Sequence, residues 1–67
     1  MVDILIEDAK RMIKRVYPEF HSTYIGKSKS GDYLVFAIDF PDGFFYFCVD
    51  DRSVSSAYID KDDALNQ

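Results

Sequence analysis

The chain has 67 residues, 48% hydrophobic and 30% charged, with a net charge of −4 and a single cysteine. That length holds one domain, and the composition is that of a globular chain, not a disordered one. The longest apolar run, residues 44–49, is far short of the roughly 20 residues a membrane span needs. One cysteine excludes an internal disulfide and any zinc site built from several thiolates. An acidic chain is also a poor default ligand for nucleic acid or anionic lipid, so neither is expected as a partner. The N-terminal stretch lacks a basic n-region, and Glu7 and Asp8 cut its short apolar run, so no secretory signal is read and a cytoplasmic location is expected.

In chain order, residues 3–17 predict an amphipathic helix. Val2, Leu5, Ile6, Ala9, Met12, Ile13 and Val16 fall on one face, and Lys10, Arg11, Lys14 and Arg15 on the other. Asp3 is the expected N-cap. Early acidic and late basic residues suit the helix dipole, and Pro18 ends the helix. Four strands are predicted after it, at residues 20–27, 33–40, 44–50 and 54–59. They are separated by the turn sequences "SKSGD", "PDG" and "DDRS". Residues 60–67, "DKDDALNQ", read as a frayed acidic tail. The expected fold is α+β in one domain over residues 1–67, with the helix packed on a four-stranded antiparallel meander. Ile6, Ala9, Ile13 and Val16 are expected to pack on Phe36, Ile38 and Tyr46.

The hairpin across "PDG" sets the main functional expectation. A three-residue loop pairs Phe40 with Phe44, Ile38 with Tyr46 and Phe36 with Cys48. One sheet face then carries Leu34, Phe36, Ile38, Phe40, Phe44, Tyr46 and Cys48, and the helix covers it. The other carries Val35, Ala37, Phe45, Phe47 and Val49, with nothing predicted to cover it. A bare apolar face in a chain without a disulfide points to a partner-binding surface at Val35, Phe45, Phe47 and Val49, with a homodimer as the natural occupant.

The search for chemistry returns structural readings. Cys48 and His21 are the only strong nucleophile and base candidates, but Cys48 lies mid-strand beside Asp50 and Asp51, a setting that disfavours a thiolate. "GKSKSG" has His21 where a phosphate-binding loop needs glycine. "DKDD" has Leu65 where a calcium loop needs glycine. The stripe Lys10, Arg11, Lys14 and Arg15 lacks base-reading amides and reads as a solvated helix face. No catalytic residue, cofactor or metal ligand is therefore expected.

The run "YLVFAIDF", "PDG", "FFYFCVD" and "DRSV" resembles the repeat unit of PepSY-type domains. In that family one helix precedes an antiparallel meander, a short turn ends in Asp-Gly, and an aromatic strand ends in Val-Asp. Ser53 stands where the family often has Thr, and Val54 where it often has Gly. The resemblance implies that fold and a non-catalytic binding role in peptidase inhibition or regulation. The function expected is thus a small non-enzymatic protein-interaction module, an accessory, regulatory or inhibitor protein. The alternative is an acidic inhibitor or immunity-type protein that sets Asp50, Asp51, Asp60, Asp62 and Asp63 against a basic target.

Overall fold

A computed structural model describes residues 2–67. Helix α1 spans Ile6–Val16, and strands β1, β2 and β3 span Ser22–Lys27, Leu34–Phe40 and Gly43–Val49. A short helix α2 covers Lys61–Leu65. The strands form one antiparallel sheet in the order β1-β2-β3.

Helix α1 starts three residues later than the periodicity predicts. Val2 N–H donates to the Gly31 carbonyl, so the chain is still extended and tied to the β1–β2 turn where Asp3 would have to cap. Leu5 occupies the cap position and supplies no side-chain bond. Glu7 and Asp8 in the first turn and Lys14 and Arg15 in the last still complement the dipole. The buried stripe is narrower than expected. Ala9 and Ile13 are fully buried and Met12 is half-buried, while Ile6 and Val16 stay largely exposed.

The β2–β3 hairpin departs from the expected register by one residue. Phe40 pairs with Gly43, Ile38 with Phe45, Phe36 with Phe47 and Leu34 with Val49. No residue other than glycine has positive φ among the described residues, which excludes the turn types that need one at Asp42. Pro41 and Asp42 alone form the loop, and Gly43, at φ 128°, opens β3. "PDG" therefore fills the second, third and fourth positions of a type I turn and is not a three-residue loop. Because side chains alternate, one residue of slip moves every β3 side chain to the opposite face.

The consequence is a sheet covered on both sides. On one face Leu34, Phe36, Ile38, Phe47 and Val49 form one buried cluster with Val2, Ala9 and Ile13. Tyr17, Phe20, Phe40 and Phe45 close its far end through edge and tilted ring contacts of 4.7–5.4 Å. On the other face Val35 and Cys48 are buried with Ala64 of α2, flanked by Ile25, Tyr33, Tyr46, Tyr58 and Leu65. Tyr46 thus lies away from α1, contrary to expectation. Strand β2, buried at five consecutive positions, is apolar on both faces because it is central and covered twice.

Two further expectations change. Residues 54–59 do not form a fourth strand and make only the bridges Val49–Val54 and Tyr46–Tyr58. Three residues there, 55–57, lie opposite two on β3, 47–48, so the ladder breaks between the bridges. The Ser55 hydroxyl fills the gap, accepting from the Cys48 N–H at 2.9 Å. Residues 60–67 do not fray. The turn before β2 holds them, with Lys29 N–H donating to the Leu65 carbonyl and Ser30 N–H to the Gln67 carbonyl. The same turn receives Val2 at Gly31, where φ 78° requires glycine, so "SKSGD" anchors both ends of the chain.

Candidate functional site

The register shift divides the four residues expected to share a partner face. Phe47 and Val49 lie in the cluster under α1, at 1% and 0% exposure, and Phe45 is half-buried beside Phe40. Val35 lies on the opposite face, fully buried against α2. They form no common surface, because the chain's own helices occupy both faces.

The thiol–imidazole pair is also separated. Cys48 pairs with Val35 on the middle of the sheet, whereas the His21 carbonyl accepts from Asp39 N–H, four residues further along β2. At 3.3 Å per residue that is about 13 Å along the strand. The Cys48 Sγ donates to the Ala64 carbonyl at 3.3 Å, and burial pushes the thiol's pKa up from its ordinary 9.0. A small recess of about 180 Å³ reaches Cys48 between Tyr33, Asp50, Ser55 and Tyr58. The thiol there is a packed donor, not a thiolate.

The basic stripe on α1 resolves into different roles. Arg11 forms an ion pair with Asp8 at 2.7 Å, and Lys14 Nζ reaches the Phe20 carbonyl at 3.4 Å. Arg15 has no such partner among the described residues. It borders a groove of about 320 Å³ between the C-terminal half of α1 and the turn after β3, lined by Met12, Arg15, Val16, Arg52, Ser53 and Val54. The floor is Met12, Val16 and Val54, and Val16 leaves 54% of its surface in water. The guanidinium of Arg52 likewise has no carboxylate partner among the described residues.

Local turn chemistry explains why Arg52 faces this groove. Asp50 Oδ1 accepts from the backbone N–H groups of both Arg52 and Ser53, at 2.9 Å each, closing the turn around its own carboxylate. The Asp50 side chain borders the recess on the α2 side, while Arg52 borders the groove on the α1 side. The turn "DDRS" therefore sorts its charges by sheet face. Asp50 is also committed to this turn, whereas Asp62 and Asp63 lie exposed in the first turn of α2. Sequence reasoning missed the Arg15–Arg52 grouping. Its one signal was a lone basic side chain in an acidic turn two residues before an apolar one.

No group of three His, Cys, Asp or Glu side chains stands close enough to hold a metal among the described residues. No helix among them is long and apolar enough to cross a membrane. Comparison with protein-family models, curated proteins and solved structures finds no match.

Proposed function

We propose that this chain is a small non-enzymatic protein-interaction module, an accessory, regulatory or inhibitor protein that works by docking. The observation that carries this reading is the groove beside α1, where the exposed Val16 and the half-buried Met12 and Val54 lie between two guanidinium groups that have no carboxylate partner among the described residues. Exposed apolar surface rimmed by polar groups is the usual mark of a docking site. Arginine is over-represented at such sites because its planar fork binds carboxylates in two-point fashion. The two sheet faces are taken by α1 and α2, so docking falls to the groove and not to the sheet.

The chemistry around Cys48 supports the non-enzymatic part. A thiol that donates to a backbone carbonyl and is held protonated by burial is a weak nucleophile, and the chain's one histidine, His21, lies well along the sheet from it. A lone unpaired thiol suits a reducing compartment such as the cytoplasm, which belongs to the same proposal. So does kinship with PepSY-type domains, supported by one helix followed by an antiparallel meander.

Selection of a random peptide library displayed on phage against the immobilised folded domain tests the reading. Sequences that bind the folded domain saturably, and not the heat-denatured chain, are expected to enrich. A selection that enriches nothing specific to the folded domain sinks the proposal.

A further inference from the structure

Resting on the interaction-module reading, we propose that the groove between α1 and the turn after β3 takes an acidic segment of a partner protein. The segment seats an aliphatic or aromatic side chain on Met12, Val16 and Val54 and sets its carboxylates on Arg15 and Arg52.

Charge complementarity selects this occupant. The protein is acidic overall, yet the two side chains that rim this groove are both cationic and no carboxylate lines it. Elsewhere on α1, Arg11 is held by Asp8 and Lys14 by the Phe20 carbonyl, and Lys10 is exposed away from this groove. Among the described residues, the Arg15 and Arg52 guanidinium groups have no partner, and they stand on either side of an apolar floor. The nearest acids of the turn are accounted for. Asp50 is bound by two backbone N–H groups and faces the other side of the sheet, and Asp51 lies exposed outside the groove. A carboxylate arriving here meets two exposed guanidinium forks, each able to hold it by two-point charge-assisted hydrogen bonds.

Shape favours a peptide over a small molecule. Small-molecule sites occupy about 300–1,000 Å³ and enclose most of their ligand. This groove lies at the bottom of that range, and Arg15, Val16, Arg52 and Ser53 are all exposed along it. It has room for one or two side chains of something larger. Nucleic acid fits less well, because two arginines neutralise few phosphates and the floor between them is apolar.

The test uses a fluorescein-labelled peptide with a glutamate on each side of a Leu-Leu pair, the same peptide with both glutamates replaced by glutamine, and a single-stranded oligothymidylate. Binding to the full chain is read by fluorescence anisotropy, and its location by amide NMR shifts. The glutamate peptide is expected to bind and to shift residues 12, 15, 16 and 52–54. The glutamine peptide should bind at least tenfold more weakly. The double variant Arg15→Gln/Arg52→Gln should lose at least tenfold for the glutamate peptide while its spectrum stays that of the folded domain, both positions being exposed. Arg15→Lys/Arg52→Lys should retain part of the affinity. Equal binding of the two peptides, absence of binding, indifference to the arginine substitutions, shifts elsewhere or preference for the oligonucleotide each overturn the proposal. Phage peptides that bind the folded domain but shift residues outside the groove overturn this proposal alone and leave the module reading standing.

Discussion

The two faces of the sheet are covered by very different means. Under α1 lie the large side chains Phe36 and Phe47, packed with Ile13 of that 11-residue helix and closed by a belt of aromatic rings. Under α2 lie Val35 and Cys48, buried by a five-residue helix whose contribution to the core is Ala64. A helix of one to two turns has little stability of its own. It is placed by backbone bonds from Lys29 and Ser30 and by the Cys48 thiol on the Ala64 carbonyl. The first face is held by apolar burial, which is large and tolerant in detail. The second is held by a few specific hydrogen bonds around a small apolar patch, and should open first.

The sharpest way to break this comparison is at Phe47. Phe47→Asp removes a large buried ring, worth about 3–5 kcal/mol on truncation alone, and leaves an unpaired charge in its place. For a domain this small that matches most of the total stability, so the variant should be unfolded, seen as collapse of amide dispersion and loss of a cooperative denaturant transition. A folded variant would mean that Phe47 does not lie under α1.

A smaller effect is expected at Ala64. Ala64→Leu overfills the α2 face and should cost about 1–3 kcal/mol. It should act locally: α2 lifts, and Cys48 reacts with a thiol reagent at least tenfold faster, while β2 amides facing α1 keep their exchange protection. An unchanged labelling rate, or uniform loss of protection, would show that the two faces open together.

The smallest effect is electrostatic. Burial raises the pKa of the Cys48 thiol above its ordinary 9.0, so the folded state favours the neutral form. The unfolded chain loses that proton first. The thiol's contribution is therefore complete below about pH 9 and declines as pH rises through the folded-state value. Relative to Cys48→Ala, the wild type should lose stability in alkaline denaturant melts above that pH. A constant difference between the two from neutral to alkaline pH would place the thiol in water.

Much of the fold was legible in local chemistry. The helix stripe with Pro18 behind it and the two tight turns mark α1 and the three strands, because periodicity and turn preference act over a few residues. Ala9, Ile13, Phe36 and Ile38 were also legible as core, since their parity does not depend on the hairpin loop. The candidate site was not. Placing Phe45, Phe47 and Val49 required knowing whether Gly43 belongs to the loop or to β3, a one-residue difference that both turn geometries allow and that only pairing with β2 decides.

Composition and pattern by themselves determined an α+β fold with an N-terminal helix and an antiparallel sheet, because burial of alternating apolar residues leaves few other arrangements. Tertiary structure alone decided that residues 61–65 fold back to cover the second face. Nothing in "KDDAL" specifies a helix so short until Lys29, Ser30 and Val35 are there to receive it. It alone also brought Arg15 beside Arg52 across 36 intervening residues. Neither side chain has a local reason to face the other. The Asp50 turn and the docking of α1 on the sheet put them at one groove.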